Sequence, residues 1–459
     1  MSASTSVHSD PALPIVVIGA GPVGLAAAAH LLEHGLEPLI LEAGDDVGAA
    51  IRQWGHTRLF SPWRYDLDAA CTRLLEAADW APPRPTALPW GRELVQDYLQ
   101  PLAQVPGIRD RLRTRARVLA VTRGTRDKTH ARGREGSPFL LRAQEQTDEG
   151  PRLVEIRARA VIDASGTWGA PNPAGAAGLP ALGEQDPAVI PHLTGSLPDV
   201  LGTERERFAG QRTLVVGAGH SATNTLLDLA QLARETPGTE VHWAIRGQDP
   251  SRTYGGRDAD GLPARGMLGT RLQRAVESGV IQLHVGSPMH ALRATAQGAA
   301  AAERAGVVVE LGEEGSRRRL LVDSLVTATG FRPELEMLRE LRLELDPAVE
   351  APVRLAPLID PEIHSCGTVP AHGADVLAQP EDGFFLVGMK SYGRAPTFLL
   401  ATGYEQVRSI AAHLAGADAA ARDLVLPETG VCSASAPVEE LEPVMIGVPT
   451  GVQHGRAGV

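Results

Sequence analysis

Short apolar runs closed by glycine, rather than long amphipathic repeats, organise this chain. The first is Ile15-Val16-Val17-Ile18, ended by Gly19. Four apolar residues without alternation are the pattern of a parallel strand buried on both faces. Residues 22–34 are rich in Ala and Leu and are stopped by Gly35, which predicts a helix with a glycine cap. Pro38 to Glu42 (PLILE) supplies a second strand, so the chain opens as a β-α-β unit. Residues 44–90 read as irregular, with many Trp, Arg and Pro, and 91–104 read as a helix. Apolar and charged positions then alternate over 115–163, predicting a β-meander with polar turns, as at 123–137. It ends in a buried strand, Ala160-Val161-Ile162-Asp163.

After a Pro- and Gly-rich connector at 169–210 the opening pattern returns. Arg212 to Val216 predicts a strand, 221–234 a helix, Val241 to Ile245 the next strand, and 320–328 a third. The two halves also end alike, VIDASG at 161–166 and LVTATG at 325–330. Such internal repetition marks a duplicated supersecondary unit. Beyond 330 come a strand from Phe384 to Gly388 and a helical stretch at 398–415. Residues 1–13 read as a loose polar arm, and the tail from 431 as disordered.

Each half carries a glycine turn between its strand and its helix. The first is Gly19-Ala-Gly21-Pro22-Val23-Gly24. In this context Gly19 permits the tight turn, Gly21 lets a pyrophosphate approach the backbone, and Gly24 brings helix and strand together. The helix start offers free N–H groups to phosphate. Glu42, at the end of the second strand, is placed to accept hydrogen bonds from an adenosine ribose. The second turn is Gly217-Ala-Gly219-His220-Ser221-Ala222, and its following strand ends at Arg246 with no carboxylate. A carboxylate there would repel a 2′-phosphate and an arginine would pair with it, so Arg246, assisted by Arg252, points to NADPH. The alternative is a solvated surface charge.

These features resemble the two-dinucleotide-binding-domain flavoproteins, and among them the bacterial flavin-dependent monooxygenase-like branch. The matching segments are GAGPVG with Glu42, LPWGRELVQDYL, DASGTWGAPNPAG, GAGHSA and ATGFRP, spread over residues 14–415. The resemblance implies an α/β fold of two Rossmann-like domains, with the NADPH domain inserted into the FAD domain. The boundaries would be 14–205 and 331–430 for the two parts of the FAD domain, and 206–330 for the NADPH domain. It implies FAD at the first turn, contacted by Gly19, Gly21, Pro22, Val23, Gly24, Glu42, Ala43, Trp54, Ala164, Gly166, Gly388 and Met389. It implies NADPH at Gly217, Gly219, His220, Ser221, Ala222 and Arg246. The implied activity is hydride transfer from NADPH to flavin, with electrons passed on to oxygen and a small-molecule substrate. The alternatives are reduction of a quinone, metalloid or protein acceptor, and a non-catalytic flavin-bound redox sensor. Two departures matter. The monooxygenase signature F-x-G-x-x-x-H-x-x-x-W/F is broken at AVIPHLTGSLPDV, which carries His192. Gly388 is followed by Met389 where the disulfide reductases carry Asp, and C-x-x-C is absent.

No residue stands out as a catalytic acid or base. Lys390, Arg394 and the helix start at Pro396 or Thr397 read equally as flavin contacts or as surface groups. Trp54, Arg58, Trp63 and Arg64 read as pocket residues or as loop anchors. No metal is expected: His364, Cys366 and His372 are too far apart for a zinc pair, and a trithiol site of Cys71, Cys366 and Cys432 would need proximity that sequence cannot supply. Three cysteines form no disulfide framework, which fits a cytoplasmic setting. The net charge of −11 argues against nucleic acid as a partner. No run approaches a membrane span, and LPETG at 426–430 lacks the apolar tail of a sorting signal. A homodimer is left open.

Overall fold

The structure is a computed structural model that describes residues 12–130, 132–295, 305–360, 369–396 and 398–426. Two five-stranded sheets carry it. In the first, β1 (Ile15–Ile18) runs parallel to β2 (Pro38–Leu41) on one side, and helix α1 (Pro22–Glu33) connects the two. On the other side of β1 lies β3 (Ala160–Asp163), also parallel. Every residue of β1 and β3 is buried, which is why these runs do not alternate. The second sheet repeats the arrangement. β4 (Arg212–Val216) leads through α2 (His220–Glu235) to β5 (Glu240–Ala244), and β6 (Ser324–Thr327) lies on the other side of β4. The chain then returns to the first sheet, where β7 (Phe384–Leu386) pairs in parallel with β3. Helix α3 (Leu400–Leu414) follows and packs on α1. The small side chains of Ala26, Ala27, Ala28 and Ala29, all fully buried, let α1 fit between neighbours.

Two antiparallel three-stranded sheets flank these layers. One is the expected meander, Ala116–Arg123, Phe139–Thr147 and Gly150–Ala158. The other joins Met289–Ala294, Val307–Leu311 and Arg318–Val322.

Three sequence expectations change. The stretch 44–90 is less irregular than its composition suggests, since it holds helices at Ala49–Gln53, Trp63–Asp66 and Ala69–Glu76. The last is capped by Asp68, whose carboxylate accepts from the Cys71 N–H at 2.9 Å. The helix over 91–104 contains a wide π turn at Leu94–Leu99. Pro101 has no N–H to give the Asp97 carbonyl, and the Trp80 indole N–H takes that carbonyl instead, at 2.9 Å. Finally, 320–328 is two strands in different sheets. They part at Asp323, whose carboxylate accepts from the backbone, Nε and Nη2 of Arg212 at 2.8, 3.0 and 2.8 Å. A hydrophobic run shows burial, not which sheet buries it.

Candidate functional site

Both glycine turns lie at the C-terminal ends of the parallel strands, where open α/β sheets form their ligand crevices. In the first, Gly19 has φ +98°, and a methyl on it would come within 2.9 Å of the Ala164 carbonyl oxygen. A methyl on Gly24 would come within 2.0 Å of the Gly19 oxygen. These two glycines are dictated by the turn itself. Gly21 is different: a methyl there would meet nothing within 4 Å. Gly21 caps α1 without any side-chain hydrogen bond, and Pro22 at the first helical position spends no N–H. The opening of α1 is therefore a backbone cradle that no side chain among the described residues fills. Val23 packs under Gly388, where a methyl would lie 3.4 Å from its Cγ2.

Glu42 is nearly buried, with Oε2 accepting from the Ala20 N–H and Oε1 from the Gly44 N–H, both at 2.7 Å. It thus pins the turn it was expected only to face. Each carboxylate oxygen keeps a second lone pair. Ala43 beside it is exposed.

The second turn repeats the backbone solution with other side chains. Gly217 has φ +137°, and a methyl on it would come within 2.0 Å of the Ala328 oxygen. Gly219 is open, like Gly21, and caps α2 without a side chain. Here a fully buried tryptophan does the pinning: Trp243 donates its indole N–H to the Gly217 oxygen at 2.7 Å. Ala222, at the position of Gly24, is fully buried, and Ser221 is half-buried. His220 keeps partial exposure and packs its ring on Phe60 at 4.9 Å. Burial first, then the Arg265 guanidinium, pushes its imidazole down to about 4, so it is neutral at pH 7. Arg246 is exposed just past the end of β5, and Arg252 is exposed on the short helix Ser251–Tyr254.

The segments after β3 and β6 back the two turns. Ala164 sits behind Gly19, and a methyl on Gly166 (φ +70°), two residues further on, would meet nothing within 4 Å. Asp163 is fully buried. Its Oδ1 accepts from the Ser165 backbone and hydroxyl at 3.1 and 2.6 Å, and its Oδ2 from Lys390 Nζ at 2.7 Å. Lys390 is also fully buried and reaches Ser165 Oγ at 3.1 Å. Sequence reading offered Lys390 as a flavin contact or a surface cation; it is an internal clamp between the ends of β3 and β7. Met389 beside it is half-buried. Gly388 (φ +66°) donates its N–H to Gln406 Oε1 at 2.8 Å. The Gln406 amide donates to Ser391 Oγ and to His372 Nε2, and His372 Nδ1 donates to the Pro370 carbonyl. Burial lowers the His372 pKa, which keeps this imidazole neutral and structural. His364, Cys366, Thr397 and Cys432 lie outside the described residues. Cys71 is buried, and burial pushes its thiol up. Among the described residues no cluster of His, Cys, Asp or Glu could hold a metal ion.

Trp54 lies 6.5 Å from Trp168, which stacks on Phe331 at 4.9 Å. Trp63 is instead a core residue, 3% exposed. Arg58 and Arg64 are exposed over Trp90 and Tyr65. Sequence reasoning missed Trp168, Asn172 and Arg332. Asn172 donates its N–H to the Gly330 oxygen and its amide to the Thr329 oxygen, while its Oδ1 accepts from Arg332 Nε at 3.0 Å. Trp168 and Phe331 each follow one of the matched endings DASG and ATG, and that correspondence was the available signal. A further omission is Asp66, buried to 1% exposure and bonded through Oδ1 to the Ser61 hydroxyl at 2.7 Å. Burial pushes its carboxyl up to about 7.

Residues 16–126 match the family model described as pyridine nucleotide-disulphide oxidoreductase. No curated relative matches the chain. Solved structures resemble it over most of its length. A bacillithiol disulfide reductase from Bacillus cereus is 18% identical, with a TM-score of 0.63, covering 88% of this chain and 99% of that one. The FAD-bound cadaverine monooxygenase DfoA of the desferrioxamine pathway from Erwinia amylovora is 14% identical, with a TM-score of 0.58, covering 96% and 99%. The ornithine N-hydroxylase of Kutzneria sp. 744, solved with reduced FAD, NADP+ and L-ornithine, is 16% identical, with a TM-score of 0.56, covering 88% and 99%. The chain has the fold of the two-dinucleotide-binding-domain flavoproteins. No described helix is long and apolar enough to cross a membrane.

Proposed function

We propose that this chain is an FAD-containing, NADPH-dependent oxidoreductase of the monooxygenase type, acting on a small molecule with oxygen. The observation that carries the reading is the pair of open, backbone-only cradles at Gly21 and Gly219, each heading a helix with no side-chain cap. Such a cradle suits a pyrophosphate, which takes N–H groups and the positive helix end as partners. In this reading Gly21, Pro22, Val23, Glu42, Ala43, Trp54, Ala164, Gly166, Gly388 and Met389 hold FAD. Gly219, His220, Ser221 and Arg246 hold NADPH, with Gly217 and Ala222 shaping the turn. The NADPH unit is the insertion between the two parts of the FAD unit, in keeping with the return of β7 to the first sheet. Bound flavin would supply the two-electron chemistry. The chain's own residues orient and shield: Lys390, Asp163 and Ser165 hold the loop behind Gly19, and neutral His220 adds no charge beside the second cradle.

The test is direct. The purified protein should be yellow, and NADPH should bleach it without oxygen, faster than NADH does. Protein that never takes up FAD ends this reading. A second reading is supported by the resemblance to a disulfide reductase, namely an NADPH-dependent reductase of an external acceptor. Acceptor-dependent NADPH consumption under anaerobic conditions selects it, whereas oxygen-18 from O2 appearing in the product selects the monooxygenase.

A further inference from the structure

Arg332 follows β6 and the ATG turn; Arg394 follows β7 and the residues around Gly388. Sequence places them 62 positions apart, yet their guanidinium ends converge. A methyl on Gly178 would lie 3.6 Å from Arg332 Nη2 and 3.9 Å from Arg394 Nη2. The two nitrogens thus flank one small volume beside Gly178, in the segment that follows β3. Both arginines lie in segments that follow parallel strands, and Phe331, adjoining Arg332, stacks on Trp168.

Like charges repel, and water offsets that only in part, so two guanidinium ends turned toward one volume favour an anion between them. Among the described residues neither stands in an ion pair. Arg134, Arg212 and Arg265, by contrast, each hold a carboxylate at 2.9, 2.8 and 2.8 Å. The chain has acid to spare, with 55 Asp and Glu against 44 Lys and Arg. Arg332 is also aimed. Its Nε is fixed by Asn172 Oδ1, and Asn172 is tied in turn to the Thr329 oxygen. That leaves the Nη end of a rigid fork directed at the shared volume, the geometry that binds an oxyanion.

We infer that Arg332 and Arg394 form an oxyanion subsite, and that the small molecule handled at the junction of the two sheets carries a carboxylate or a similar group beside a flat apolar part. The inference rests on the proposed function and names the substrate class for the same site. The pyrophosphate cradles at Gly21 and Gly219 are separate features, each formed by backbone at a helix start.

The test uses the FAD-loaded full chain and two probes of one shape, benzoate and the uncharged benzamide, titrated calorimetrically. Benzoate should bind at least about ten-fold more tightly than benzamide, as expected for a charge-assisted fork. R332Q and R394Q should each remove most of that preference, and the double variant all of it. Anaerobic bleaching by NADPH should stay at the wild-type rate. Arg394 is exposed, so R394Q keeps the test decisive if R332Q, which loses its Asn172 bond, folds poorly. Equal binding of the two probes by the wild type, or an unchanged preference in R394Q, overturns the inference. So does a fall in NADPH bleaching in R394Q, because the pair would then serve the nucleotide. Failure of the proposed function reads differently: the wild type would take up no FAD or would not bleach, before any benzoate is added.

Discussion

The two glycine turns reach one backbone geometry by different means. In both, the first glycine takes a positive φ because a carbonyl from the neighbouring strand's end occupies the space a side chain would need: Ala164 in one, Ala328 in the other. In both, the middle glycine faces open space. The side chains that hold the turns do not correspond. A carboxylate, Glu42, grips the first by accepting backbone N–H groups; an indole, Trp243, grips the second by donating to a carbonyl. Behind the first turn lies a buried ion pair, Asp163 with Lys390, and behind the second a neutral amide, Asn172, bonded to Thr329. Backbone geometry is the shared requirement, and the supports are free to differ as long as each buried polar group finds a partner.

The ion pair should separate the turns most strongly. Lys390→Met leaves the Asp163 carboxylate buried and unpaired, and should cost about 3–5 kcal/mol in urea unfolding. Asn172→Ala, the matching change behind the second turn, should cost only about 1 kcal/mol. Equal losses would break the comparison.

Asp66, on the short helix Trp63–Asp66, and His220, at the second turn, should answer pH in opposite directions. Burial raises Asp66 from 3.8 to about 7, so between those values the folded state holds a proton that the unfolded chain has lost. Stability from this group therefore falls as pH rises from about 4 to 7, by roughly 4 kcal/mol at most. His220, lowered from 6.5 to about 4, acts the other way: the unfolded chain takes up a proton first, and stability falls as pH drops through that window. Its partial exposure reduces the effect to on the order of 2 kcal/mol. Chemical denaturation of D66N and H220Q across pH 4.5 to 8 checks both: D66N should lose the fall in stability with rising pH, and H220Q the fall with dropping pH.

A smaller contrast lies at the fourth position of the turns. Gly24→Ala drives a methyl into the Gly19 oxygen and should cost about 3 kcal/mol. Ala222→Gly, where the second turn already accommodates that methyl, should cost about 1 kcal/mol through helix propensity. A G24A protein with a wild-type melting temperature would show that the two helices sit alike. The smallest effect is on selectivity. Arg246→Ala should narrow the NADPH preference over NADH about ten-fold in kcat/KM, the scale of one charge-assisted contact. A variant with full selectivity would move the discrimination elsewhere, Arg252 being the first candidate.

Much of this molecule was legible in the chain. The strands at 15–18, 38–41, 160–163 and 212–216, and the helices that follow both turns, lie where apolar runs and glycines put them. Local pattern suffices there because a strand buried on both faces needs an unbroken apolar run, and a tight turn needs glycine. The repeat of strand, turn and helix determined the paired organisation. The sequence could not determine what distant residues do to one another. Lys390 read equally as a flavin contact or a surface cation until the structure placed it 2.7 Å from Asp163, which lies 227 positions away. The split of 320–328 between two sheets, the core position of Trp63, and the convergence of Arg332 with Arg394 on Gly178 are likewise tertiary facts. Periodicity records which residues leave water, because burial is set by local hydrophobicity. The partner of a buried charge is set by how the chain returns to its first sheet, and only the folded structure decides that.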